Sequence, residues 1–127
     1  ETATTNFCFI TDAGSFTPEM IKFIRRSRNL VIEANYDAAM LEEGPYPRHL
    51  KERIKAPTGH ACNADTARIL QENVAATTEN IWLCHLSEEN NHPELARKTI
   101  AQALDLADCK AQLHVLRRRI PSGPFEL

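Results

Sequence analysis

The chain has 127 residues, 43% of them hydrophobic, and a formal net charge of −2, values that bound it to one globular domain or a piece of one. That charge excludes a chain built throughout as a basic nucleic-acid coat, while leaving room for local basic patches. Apolar runs stop at four or five residues, so no transmembrane helix is predicted, and no signal-peptide pattern opens the chain.

The first residue is Glu1, not Met, which fits a processed chain or a fragment. A first strand is predicted over 5–11. A helix follows, with Thr17 as N-cap and Pro18 at its first position, where the missing N–H costs nothing. Met20, Ile21, Phe23 and Ile24 form its apolar stripe, and Arg25, Arg26 and Arg28 suit the dipole at its end. The run over 29–34 is unbroken and apolar, as in a strand buried on both faces between helices. A short helical turn carries Ala39, Met40 and Leu41, and Gly44-Pro45-Tyr46-Pro47 ends it. A basic helix spans 48–55, with Leu50 and Ile54 four apart. Pro57-Thr58-Gly59 is a turn, and Asn63 is the predicted N-cap of a helix to about Val74, with Ala67, Leu70 and Val74 inward. A third strand covers 80–85 and a polar loop 87–92. A long helix begins at Pro93 and runs to about Ala107, with a seam of Ala96, Ile100, Ala103, Leu104 and Ala107. A fourth strand covers 112–117, before an extended, turn-rich tail from Ile120 to Pro124. Strands alternating with helices predict a layered α/β sheet. The four cysteines form no C-x-x-C; Cys8 and Cys84 lie in apolar strand runs as buried free thiols, which favours a reducing cytoplasm.

Three strand-like runs end on residues that handle metals or protons: Asp12, Glu33 and His85. In layered α/β folds, ligands gather beyond the carboxyl ends of strands. A strand-terminal Asp12 before Ala-Gly serves as a turn former or as a carboxylate able to bridge two cations. His85 is either a satisfied core histidine or a ligand, and the polar Leu86-Ser87-Glu88-Glu89-Asn90-Asn91-His92 that follows reads as a site-lining loop. His92 itself reads as helix-entry surface. Glu33 ends a buried strand, so its carboxylate needs a partner. His60, after Gly59 and before the helix near Asn63, is the natural one, and the pair would handle a proton with Glu33 orienting the imidazole. The plain alternative for Gly59-His60 is a surface turn. Asn35 and Asp37 are turn formers or supports of the site. Arg48, Lys51, Arg53 and Lys55, beside His49, form a solvated helix face or a phosphate-contacting one, and Arg117-Arg118-Arg119 reads as surface. No nucleophilic serine motif, phosphate loop or zinc-finger spacing is present.

Several stretches occur together in one order: Thr11-Asp12-Ala13-Gly14, Val31-Ile32-Glu33-Ala34-Asn35-Tyr36-Asp37, Met40-Leu41-Glu42-Glu43-Gly44-Pro45-Tyr46-Pro47, Leu50-Lys51-Glu52-Arg53-Ile54, Gly59-His60-Ala61-Cys62-Asn63 and His85-Leu86-Ser87-Glu88-Glu89-Asn90-Asn91. Over residues 5–105 the chain resembles the C-terminal half of a metallo-β-lactamase-fold hydrolase of the YycJ/WalJ-like branch. The resemblance implies half of an αββα sandwich, here about four strands with helices, filling 1–127 as one piece of a domain. It also implies a two-metal site at the sheet edge, holding zinc or manganese, and nuclease-type hydrolysis of phosphodiesters on DNA. Asp12 matches the aspartate that bridges the metals and His85 the last histidine ligand. Glu33 and His60 match a glutamate–histidine pair that helps the leaving oxygen take a proton. Asn35, Asp37, Asn63, Ser87 and Asn90 would line or support the site. The family's N-terminal half carries an H-x-H-x-D-H motif, and none of His49, His60, His85, His92 and His114 forms H-x-H. The isolated chain is therefore expected to be inactive and to bind metal weakly or not at all. Its expected partners are the missing half, a nucleic-acid substrate, and a second copy through the sheet face left bare. A reading of another class makes the chain a non-catalytic α/β interaction or dimerisation module.

Overall fold

The computed structural model describes residues 7–11 and 14–116. Strands β1 (Phe7–Ile10), β2 (Asn29–Glu33), β3 (Asn80–Cys84) and β4 (Gln112–Val115) alternate with helices α1 (Pro18–Ile24), α2 (Ala38–Glu43), α3 (Arg48–Lys55), α4 (Asn63–Asn73) and α5 (Pro93–Leu106). The strands form one parallel sheet in the order β1-β2-β3-β4. The predicted tail and Arg117-Arg118-Arg119 lie outside the described residues, as does the start of the first predicted strand.

Strand order equal to chain order has a geometric consequence. Parallel crossovers are right-handed, so connections that all step in one direction place their helices on one face. The core follows this rule. Ile10, Leu30, Ile32, Ile81 and Leu83 point to one face, where they cluster with Ile24 of α1, Ile69 and Leu70 of α4, and Ala96, Ile100 and Leu104 of α5. Alternation sends Phe7, Phe9, Val31, Trp82 and His114 to the other face, and none of these belongs to either apolar cluster of the described residues. In register, Phe9, Val31, Trp82 and His114 form one row across all four strands. Phe7 stacks on both Phe9 and Trp82, and Trp82 stacks on His114. Phe9 remains 68% exposed and Phe7 42%. On this side Val31 of β2 stays partly exposed between Phe9 and Trp82 in register, and the helix layer expected on each side of the strand lies on one side only.

Local chemistry sets the helix starts. The Thr17 hydroxyl accepts from the Met20 N–H at 3.2 Å, with Pro18 next, as predicted. Asp37 accepts from the Met40 N–H, and His92, exposed at the entry of α5, accepts from the Glu94 N–H. Helix α4 departs from expectation: its N-cap is Cys62, whose Sγ accepts from the Asp65 N–H at 3.4 Å. Asn63 is already helical, and its amide is engaged by Asn91, so it is not available for capping. Phe23 also leaves its predicted stripe. It is 48% exposed and lies under the Arg26 guanidinium, 5.3 Å from the ring centre, a cation–π contact. Lys51, expected on a solvated face, is buried and donates to the Glu42 carbonyl at 2.6 Å, a cation set at the C-terminus of α2.

A second cluster of Tyr36, Leu41 and Cys62, with Tyr46 and Ile54 against it, ties α2 and α3 to the isolated Tyr36–Cys62 bridge. Burial first, then the neighbouring Cys62 and Asp65, push the Tyr36 phenol up to about 12. Burial likewise raises the Cys62 and Cys8 thiols. All four cysteines are free; Cys84 is buried as predicted, whereas Cys8 is only half-buried.

Candidate metal and proton-transfer site

Glu33 is the last residue of β2, paired in register with Cys84, so the next residue of the neighbouring strand, His85, falls beside it. The Glu33 side chain is 2% exposed. A carboxylate so enclosed is costly unless partnered. His60 supplies the partner, with Nδ1 2.5 Å from Glu33 Oε2. His85 Nδ1 lies 3.8 Å from the same oxygen. The two imidazoles are 35% and 47% exposed, so a buried carboxylate backs two histidines that reach solvent. One ligand atom from each of Glu33, His60 and His85 falls within 4.8 Å of the others.

Three features of the backbone fix these side chains. Residue His85 takes a left-handed conformation, φ 58, which ends β3 one residue short of the predicted boundary and turns the chain away. The Asn35 amide holds that turn by donating to the His85 carbonyl at 2.7 Å. Second, the Glu33 carbonyl accepts from the Thr66 hydroxyl at 2.7 Å, tying β2 to α4. Third, His60 sits on a tight return from α3, with its N–H donating to the Ile54 carbonyl and that of Gly59 to Ala56.

Two glycines permit close approaches here. A Cβ at Gly59 would stand 2.3 Å from the Ile54 carbonyl oxygen, and one at Gly14 would stand 2.0 Å from that of Ala56. Gly14 thus packs the β1–α1 loop against the segment that leads to His60. Substitution Gly59→Ala is expected to destabilise the fold by about 1–3 kcal/mol, in the usual range for a local backbone clash, and to part His60 from Glu33. Urea unfolding measures the first effect, and the imidazole nitrogen shifts of His60 the second.

The remaining predicted residues occupy distinct places. The Asp37 carboxylate caps α2. The Ser87 hydroxyl accepts from the Asn90 N–H at 3.1 Å. Asn90 is buried, its carbonyl accepts from the Asp37 N–H, and its Oδ1 has no hydrogen-bond partner among the described residues. Asn63 exchanges amide hydrogen bonds with Asn91 in the interior. Asp12 lies outside the described residues. Sequence reasoning passed over Asn91, whose amide also donates to the Ala34 and Asn35 carbonyls and accepts from the His92 N–H. It passed over Thr66 as well. An Asn-Asn pair just before a helix cap was the available signal for Asn91; Thr66 left none.

The donor set of two imidazoles and a carboxylate could hold a divalent transition-metal ion. The nitrogen–oxygen pair also suits proton transfer. The chain is 40% identical over 96 residues to a Bacillus anthracis protein named exodeoxyribonuclease YycJ, covering 76% of this chain and 36% of that protein. It is 37% identical over 103 residues to Streptococcus pneumoniae proteins named exodeoxyribonuclease WalJ, covering 81% of this chain and 38% of theirs. These relatives support a YycJ/WalJ-like family, and the chain spans somewhat over a third of their length. No family model and no solved structure matches the chain.

Proposed function

We propose that this chain is the C-terminal half of a metallo-β-lactamase-fold exodeoxyribonuclease of the YycJ/WalJ type, acting in the cytoplasm on phosphodiesters of DNA. The observation that carries the reading is the 2.5 Å pair of His60 and buried Glu33 with His85 beside it, in a chain whose relatives are named exodeoxyribonucleases. The whole protein would hold two divalent ions, zinc or manganese, with Asp12 and His85 as this half's ligands. Those ions would supply an activated water and neutralise charge on the phosphate. His60 donates a proton from Nε2 to the oxygen that leaves as the phosphorus–oxygen bond breaks, because its Nδ1 is held by Glu33. Glu33 keeps the ring in place throughout. Asn35 fixes the turn that presents His85, while Ser87, Asn90 and Asn63 shape the loop and helix start around it.

The rest of the protein supplies the other ligands and covers the Phe7–Phe9–Trp82–His114 face. That row is the surface a second sheet would need, and two copies of the isolated chain would pair through it. The competing reading, a binding module without chemistry, gains support from the exposed Phe7 and Phe9 of the same row; it gives no role to the buried Glu33 and its two histidines.

The test compares the full-length protein with this chain on end-labelled linear DNA, with zinc or manganese supplied and then removed by a chelator. Shortening of the DNA by the full-length protein alone, lost with the chelator and restored by metal, is the expected result. Inactivity of the full-length protein with every divalent ion, or activity of this chain by itself, refutes the reading.

A further inference from the structure

We infer that Glu33, His60 and His85 form a one-ion site of their own, and that an ion bound there blocks proton transfer. The binding part stands on the geometry alone; the blocking part rests on the function proposed above. A tetrahedral ion with bonds of about 2.0–2.1 Å holds its ligand atoms roughly 3.3 Å apart. The three donors already lie within 4.8 Å of one another, and the Glu33–His85 separation is 3.8 Å. Small rotations of two partly exposed imidazoles would open the 2.5 Å His60–Glu33 contact and close the 3.8 Å His85–Glu33 one around an ion. Two imidazoles and one carboxylate leave at least one position for water, a ligand arrangement well suited to a divalent transition metal.

Such an ion would take the Glu33 carboxylate and the His60 imidazole at once. These are the groups that hold and deliver the proton, so the same atoms cannot serve both tasks. His85 is common to this set and to the Asp12–His85 pair, whereas Glu33 and His60 belong to this set only. The two sites therefore separate by mutation.

Cobalt(II) alone, titrated into this chain, provides the probe through its visible absorption. One equivalent is expected to bind. Variants Glu33→Gln and His60→Ala, each checked for folding by circular dichroism, are expected to lose at least the roughly 10- to 100-fold in affinity that losing an outer partner costs a metal site. Asp12→Ala is expected to bind as the parent does. No cobalt signal, or a signal abolished by Asp12→Ala and kept by His60→Ala, overturns the site. In the full-length nuclease, where the catalytic ions claim His85, an extra ion is held by Glu33 and His60 alone, so zinc well beyond that needed for full activity is expected to inhibit reversibly. An undiminished rate in excess zinc, with cobalt binding intact, overturns the blocking role and leaves the site standing.

Discussion

Replacing His60 by Ala in the full-length protein is expected to lower kcat on DNA by about 10²- to 10⁴-fold, the usual contribution of a positioned general acid. The loss belongs to departure of the leaving oxygen, so it depends on how strongly that oxygen needs a proton. A phosphodiester with a nitrophenolate leaving group needs none, and its cleavage should fall far less in the same variant. Equal losses on both substrates would remove His60 from the proton-donating role and leave it a structural part. Glu33→Gln is expected to follow the same pattern, because a neutral amide still fills the space but no longer fixes the Nδ1–H tautomer. Metal content measured on each variant separates loss of proton transfer from loss of ions.

Asn91→Leu should unfold the chain more readily than any single change at the solvent-facing histidines. The amide of Asn91 joins the end of β2 through the Ala34 and Asn35 carbonyls, the start of α4 through Asn63, and the start of α5 through the His92 N–H. Leucine matches its size and satisfies none of these groups. Each buried polar group left unpaired costs about 1–3 kcal/mol. With several at stake, the expected loss exceeds about 3 kcal/mol, against a total of about 5–15 kcal/mol for a typical domain. The midpoint of urea unfolding measures it. A loss under about 1 kcal/mol would mean that water replaces the amide without difficulty.

The order of elements was readable because apolar periodicity, Pro18 and Pro93, and Thr17 are local signals. The pairing of Glu33 with His60 was also legible, since a carboxylate ending a buried strand demands a partner and few candidates exist. Other parts depended on contacts distant in sequence. Asn63 has the side chain of a good N-cap, yet Asn91, far along the chain, engages its amide and leaves the capping to Cys62. Phe23 fits the helix stripe by spacing alone, but where the stripe meets the sheet is a tertiary fact. The convergence of Glu33, His60 and His85 on one point required the β2–β3 register, which no local pattern encodes.

That register also decides which part of the sheet the site depends on. Glu33 and His85 issue from β2 and β3, the two interior strands, while β1 and β4 form the borders. Local opening begins at borders and chain ends, where few bonds hold the backbone. Transient release of β4 would leave the β2–β3 ladder, and the histidines beside Glu33, in place. Amide hydrogen exchange at the border strands is then expected to run uncoupled from the site: they can breathe on their own timescale while the arrangement of Glu33, His60 and His85 persists.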